Sequence, residues 1–175
     1  MMTQQSSKSI FLTGFMGAGK STVGQILAEM LNKPFIDLDA RIVEREQRTI
    51  ARIFAEDGED YFRDCESSLL NALEGQPAAV FATGGGMVVR EVNRVAMARL
   101  GQTVYLYASW PNLKERLLSS VDRPLIDHGR NWTELKSLWE KRQAFYRKAD
   151  IIVRTDGLVP LDVARNIADL LSFKE

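Results

Sequence analysis

Residues 14–21 constrain the fold more than any other segment, because their sequence, GFMGAGKS, fits the pattern G-x-x-x-x-G-K-[ST]. The run follows the apolar residues 10–12 and precedes a helical pattern that begins near Lys20. Glycines at these positions let successive backbone N–H groups converge on phosphate oxygens, while Lys20 supplies a positive charge and Ser21 a hydroxyl for Mg²⁺. The segment therefore predicts a strand, a phosphate-binding loop and a helix that together bind a nucleoside triphosphate.

Short apolar runs alternate with helical patterns along the rest of the chain. The spacing predicts strands at residues 10–13, 35–38, 79–82, 104–107 and 151–153. Between them, residues 23–31 and 161–171 place their apolar side chains on one helical face each. This alternation predicts an α/β fold, a parallel sheet with helices on both faces. A length of 175 residues, without repeats or linkers, predicts a single domain over residues 1–175 with a loose tail at residues 1–8.

Composition narrows the classes of partner. The 23 basic and 23 acidic residues cancel, which argues against nucleic acid or an anionic membrane as a partner and favours small soluble substrates. The single cysteine, Cys65, excludes an internal disulfide and is interpreted as a packed thiol in a helix. Without a membrane-spanning or signal pattern, we expect a cytoplasmic protein.

Polar residues follow three of the predicted strands. The phosphate loop follows the first strand, Asp37 and Asp39 follow the second, and Gly84 to Gly86 follow the third. Ligands of open α/β sheets sit beyond the carboxyl ends of the strands, so these segments should meet at one site. On a continued strand, Asp37 and Asp39 would face the same side and could serve Mg²⁺ and an attacking hydroxyl. The alternative is that Asp39 caps a helix that begins at Ala40.

Two further features carry a functional and a structural interpretation each. A run of three glycines suits close backbone approach to a ligand, although a tight turn is the structural alternative. On a helix, Arg63 and Glu66 lie three residues apart, which allows an ion pair that fixes a carboxylate-binding guanidinium, or a solvated surface pair.

Residues 119–131 are polar and lack apolar periodicity, which suits a mobile lid containing Arg123 and a solvated His128.

Taken together, these residues resemble the shikimate kinase family. The shared motifs are G-x-x-G-x-G-K-S-T from Gly14 to Thr22, D-x-D at Asp37 and Asp39, F-R-x-x-E from Phe62 to Glu66, G-G-G at Gly84 to Gly86, and R-P-L at Arg123 to Leu125. The resemblance implies a three-layer P-loop NTPase fold of the nucleoside-monophosphate-kinase-like type, with five parallel strands. It also implies transfer of the ATP γ-phosphoryl group to the 3-hydroxyl of shikimate, with Mg²⁺ as cofactor, by a protein expected to be monomeric.

The resemblance also assigns roles to individual residues. The catalytic set is Lys20, Asp39 and Arg123, and the ATP-binding set is Gly17, Ala18, Gly19, Lys20, Ser21, Thr22, Arg116 and Arg123. The shikimate-binding set is Asp39, Phe54, Phe62, Arg63, Glu66, Gly85, Gly86 and Arg142. Ser21 would hold the metal directly and Asp37 through water. Two alternatives remain open at this point: another small-metabolite kinase, such as one acting on gluconate, and a non-catalytic sensor of ATP and shikimate.

Overall fold

The computed structural model describes residues 8–119 and 131–172. The strands are β1 (Ser9–Thr13), β2 (Phe35–Asp37), β3 (Val80–Ala82), β4 (Gly101–Tyr107) and β5 (Ile151–Arg154). The helices are α1 (Lys20–Met30), α2 (Leu38–Glu46), α3 (Ile50–Glu56), α4 (Gly58–Ala72), α5 (Glu91–Leu100), α6 (Trp110–Ser119), α7 (Trp132–Tyr146) and α8 (Pro160–Ser172), and a 3₁₀ turn covers Met87–Val89.

Within the described residues, the strands form one five-stranded sheet in the order β2-β3-β1-β4-β5, with every pairing parallel. Each predicted strand is present, although β4 begins three residues earlier than the apolar pattern indicates, at Gly101. The predicted parallel sheet is confirmed. Helices α1 and α8 pack against each other, and α5 packs against α4 and β4.

The middle strand of the sheet, β1, lies in the hydrophobic core, and all of its residues are buried. Phe11 of β1 stacks on Phe81 of β3 with ring centroids 4.9 Å apart, and both rings are buried. A glycine inside a helix lowers helix stability by ~1 kcal/mol relative to alanine, yet Gly24 occupies the middle of α1. A methyl group at Gly24 would lie 2.5 Å from the Phe35 ring of β2, so the glycine allows α1 to approach the sheet closely. This packing fixes the helix that follows the phosphate loop.

The three strands whose carboxyl ends are predicted to form the site are neighbours in the sheet. Because β3 lies between β2 and β1, the segments that follow these three strands are adjacent in space. Across residues 8–119 and 131–172, none of the helices has both the length and the apolar character needed to cross a membrane.

Candidate active site

The phosphate loop connects β1 to α1 and depends on glycine conformations. Gly14, Gly17 and Gly19 have φ angles of 145°, 80° and 93°, a region that side chains with a Cβ rarely adopt. Gly19 is the residue before α1, so the first N–H groups of the helix point toward the loop and form an anion-binding end. The Lys20 ammonium donates to the carbonyl oxygens of Gly14 and Phe15 at 2.8 and 3.1 Å, which places its charge over the same loop.

Beside the loop lies a pair of oxygen donors suited to a hard cation. The Ser21 hydroxyl donates to Oδ2 of Asp37 at 3.1 Å. The other carboxylate oxygen, Oδ1, accepts from the Ala40 backbone N–H at 3.1 Å and caps α2. Among the described residues there is no cluster of three or more His, Cys, Asp or Glu that could hold a metal. A hydroxyl and one carboxylate fit Mg²⁺, which takes few protein ligands and keeps waters and substrate phosphates.

The structure corrects the expectation for Asp39. β2 ends at Asp37, so Asp39 does not continue a strand, and it does not cap a helix either. The Asp37 side chain supplies the cap, α2 begins at Leu38, and Asp39 projects from the first turn. From there Asp39 lines both the phosphate-loop cavity and a second cavity beside it. Both carboxylates line the phosphate-loop cavity, Asp37 from the cap of α2 and Asp39 from its first turn.

Arg63 is the central cation of the second cavity. Its Nη1 donates to both oxygens of Glu66, at 3.0 and 2.9 Å, and Glu66 is completely buried. Its Nη2 and Nε donate to one oxygen of Glu59, at 2.8 and 3.3 Å. The predicted pair of Arg63 and Glu66 is present, and the alternative of a solvated surface pair is wrong. Glu59 is a partner that the sequence interpretation missed.

Two of the three glycines, Gly84 and Gly86, are required by the side chains that surround them, whereas a Cβ at Gly85 would make only ordinary contacts, the nearest at 3.5 Å from Nη1 of Arg142. A Cβ at Gly84 would lie 2.5 Å from Oδ1 of Asp39 and 3.1 Å from Oε1 of Glu66. A Cβ at Gly86 would overlap the guanidinium of Arg63. The run therefore packs against the site's charged groups, which is a stricter requirement than a tight turn. The Gly85 carbonyl accepts from the buried Tyr146 hydroxyl at 2.6 Å, a contact between segments 61 residues apart.

Burial sets the electrostatics of the Arg63 and Glu66 pair. Burial raises the pKa of Glu66 to about 7, against the opposing effect of Arg63, and the nearby Asp39 carboxylate raises it further. For Arg63, burial alone would lower the pKa, but Glu66 and Glu59 outweigh it and raise the pKa above the ordinary value. The guanidinium is therefore charged at every physiological pH.

The second cavity has a volume of about 360 Å³ and combines cations with an apolar wall. Phe54 and Phe62 pack with ring centroids 5.0 Å apart along one side. Arg142 enters from α7, and its buried Nε makes no hydrogen bond to any described residue. Every residue predicted for shikimate binding lines this cavity; they are Asp39, Phe54, Phe62, Arg63, Glu66, Gly85, Gly86 and Arg142.

The phosphate-loop cavity has a volume of about 900 Å³ and shares Asp39, Phe54 and Arg142 with the second cavity. Arg116 of α6 reaches its rim, where Nη2 donates to the Thr155 carbonyl at 3.1 Å and Nη1 to the Thr155 hydroxyl at 3.3 Å. Nη1 also lies 3.4 Å from the carbonyl oxygens of Gly17 and Ala18. Arg116 therefore joins the phosphate loop to the segment after β5.

Part of the predicted lid lies outside the described residues. Arg123 and His128 fall in this part, residues 120–130. The two ends of the predicted lid, residues 119 and 131, lie at helix boundaries. Ser119 is the last residue of α6, and the Asn131 side chain accepts from the Thr133 N–H at 3.0 Å and caps α7.

Comparison with known proteins gives the family. The shikimate kinase family model matches residues 16–172. The shikimate kinase of Persephonella marina is 39% identical over 160 residues, which cover 91% of this chain and 96% of that protein. The structure of shikimate kinase from Acinetobacter baumannii in complex with shikimate superimposes with a TM-score of 0.89 at 35% identity, covering 98% of this chain and 96% of that one.

A gluconokinase from Sinorhizobium meliloti superimposes with a TM-score of 0.60 at 18% identity, covering 98% of this chain and 99% of that one, which shows a shared fold alone. The P-loop kinase fold, the motif set and the near full-length matches agree, and the chain belongs to the shikimate kinase family of ATP-dependent phosphotransferases.

Proposed function

We propose that this chain transfers the γ-phosphoryl group of ATP to the 3-hydroxyl of shikimate in the cavity formed by Arg63, Arg142 and Asp39. The observation that carries the proposal is the shared boundary of the two cavities. Asp39 and Arg142 line both, so a molecule held by the arginines is adjacent to the phosphate loop. An acceptor and a nucleotide in contact are what phosphoryl transfer requires.

The acceptor is recognised through its carboxylate. Arg142 brings a buried Nε that has no hydrogen bond to any described residue and so presents a donor to an anion in the cavity, while Arg63, held by Glu66 and Glu59, adds its positive charge. Phe54 and Phe62 supply the apolar surface against which a six-membered carbocycle packs. An acceptor without the carboxylate leaves buried donors unpaired, a penalty of about 1–3 kcal/mol. Gly85 and Gly86 add backbone groups at the same wall.

Asp39 is the proposed partner of the attacking hydroxyl. It accepts the hydrogen bond of that hydroxyl, orients it toward the γ-phosphorus and takes its proton as the oxygen–phosphorus bond forms. Lys20 places its positive charge by the loop carbonyls, where it stabilises the charge of the transferring group. Gly17 to Gly19 and Thr22 are proposed to contact the phosphates through backbone and hydroxyl groups, and Arg116, which lines the same cavity, is proposed to bind ATP.

We further propose Mg²⁺ as the cofactor, held by Ser21 directly and by Asp37 through water. When bound, the ion would supply charge neutralisation at the phosphates of ATP. The hydrogen bond between Ser21 and Asp37 keeps both oxygen donors at one place beside the loop. Arg123 is proposed as a cation that reaches the phosphates from the lid. The protein is proposed to act as a single-domain cytoplasmic monomer.

The test is ADP release by the purified protein with ATP and Mg²⁺, comparing shikimate with gluconate, nucleoside monophosphates and no acceptor. We expect turnover with shikimate alone. ADP formed only with another acceptor would keep the kinase but overturn the roles of Asp39, Arg63 and Arg142. Shikimate binding without turnover would instead favour the sensor, which the presence of Lys20 and Asp39 argues against.

A further inference from the structure

The guanidinium of Arg63 has little free edge in this structure. Both oxygens of Glu66 accept hydrogen bonds from Nη1, and one oxygen of Glu59 accepts hydrogen bonds from Nη2 and Nε. The backbone at Gly86 packs so closely on the guanidinium that a Cβ there would overlap it. A carboxylate that binds arginine in the bidentate manner needs two neighbouring N–H groups along one edge. The Nη2 and Nε edge is the one that meets this need, and Glu59 holds it.

The two glutamates differ in how easily they can leave. The Glu66 side chain is 0% exposed and is fixed by two short bonds, whereas the Glu59 side chain is 61% exposed. Water can solvate the Glu59 carboxylate when it leaves Arg63, because most of the Glu59 side chain is already exposed. Glu59 lies in the first turn of α4 and lines the same cavity as Arg63. Its carboxylate therefore occupies the edge of Arg63 that a second carboxylate would need for bidentate binding, and its exposed side chain can turn out to solvent.

We infer that Glu59 is an internal competitor for Arg63, which the carboxylate of the substrate displaces when it binds. This inference rests on the proposed function, because it requires an acceptor that binds Arg63 through a carboxylate. Glu59 acts through Arg63 and is a specificity-determining residue. A ligand with a carboxylate regains the two bonds that Glu59 gives up, whereas a neutral ligand of the same shape does not.

The experiment compares E59Q with a matched control, E134Q. Glu134 is an exposed residue in the first turn of α7 and lines the same cavity, but no bond joins its side chain to Arg63. Each substitution removes one negative charge from the cavity and one acidic residue from a helix N-terminus, so E134Q reports the effect of charge alone. Shikimate Kd is measured by calorimetry without nucleotide, and KM and kcat are measured with ATP. The same E59Q change is also made in R63A.

We expect E59Q to lower the shikimate Kd and KM by about two- to fivefold, with kcat and the ATP KM little changed, and E134Q to give a smaller effect. In R63A, the E59Q change should have no more effect than E134Q has, because the competed group is gone and only the change of charge remains. Weaker shikimate binding by E59Q, an equal gain in E134Q, or the full gain of E59Q persisting in R63A would each overturn the inference. These outcomes leave the proposed function intact, whereas a wild-type protein that neither binds nor phosphorylates shikimate would overturn both.

Discussion

Replacing Glu66 by glutamine should stabilise the protein at neutral pH while it weakens shikimate binding. Glu66 is fully buried, and its pKa is raised from 4.5 in the unfolded chain to about 7 in the folded protein, chiefly by burial. The folded state therefore holds the Glu66 proton more tightly than the unfolded state. This contribution to stability is complete below pH 4.5 and is lost as the pH rises through 7. A glutamine side chain at this position resembles the protonated carboxyl group at every pH.

The size of the effect follows from the two pKa values. A pKa difference of about 2.5 corresponds to ~3 kcal/mol in the free energy of unfolding, at 1.36 kcal/mol per pH unit. Urea unfolding of the wild type and E66Q at pH 5 and pH 8 measures it. We expect E66Q to be more stable by ~1 kcal/mol at pH 5 and by ~3 kcal/mol at pH 8. E59Q, which alters the exposed partner of the same arginine, is measured at both pH values as the control.

A different result would refute this reasoning. If E66Q is less stable than the wild type at pH 8, the dominant effect is the loss of a partner for the buried Arg63 cation, and the ion pair stabilises the fold. If the difference does not change between pH 5 and 8, the pKa of Glu66 is not raised. In either case the shikimate KM of E66Q should rise about tenfold or more, because Arg63 loses the two charged bonds that orient it.

The remaining predictions concern the other two walls of the cavity. D39N should lower kcat by at least ~100-fold with little change in nucleotide Kd, because Asp39 is assigned to the acceptor hydroxyl. Stopped-flow kinetics measure kcat and a nucleotide titration measures Kd. An equal loss of nucleotide affinity would contradict the role of Asp39. G86A should raise the shikimate KM about tenfold and leave the ATP KM near its wild-type value. The backbone at Gly86, with φ −96° and ψ −9°, accepts alanine, but the added methyl overlaps Arg63, so an unchanged shikimate KM would show that Arg63 does not bind the acceptor.

The sequence predicts the sheet well because the signals for parallel strands are local. Buried β-strands are short apolar runs with polar or glycine ends, and all five runs are present as strands. The start of the helix after β2 was less predictable, since Asp39 was the only cap considered from the sequence, whereas Asp37 caps the helix. Only the folded backbone decides that Asp37 caps α2 and that Asp39 faces the cavities.

Contacts between distant segments could not be predicted from one sequence. The bond from Tyr146 to Gly85 joins α7 to the segment after β3, and no local pattern connects these two residues. Glu59 did carry a signal, because it lies four residues before Arg63 on α4. Such spacing is common on solvated helix faces, where the pair contributes little, so burial of Arg63 had to be known first.

The arrangement around Arg63 accounts for several features that would otherwise weaken the fold. A buried carboxylate, a run of three glycines and a cation with a 10% exposed side chain each reduce stability when taken alone. Together they hold one guanidinium so that Glu66 fixes Nη1, Gly86 covers the group closely, and the Nη2 and Nε edge is held only by the exposed Glu59. A cation fixed in this way loses little freedom when a carboxylate binds, so more of the interaction energy appears as affinity. The stability gained by E66Q and the affinity lost by it are therefore two measurements of the same preorganisation.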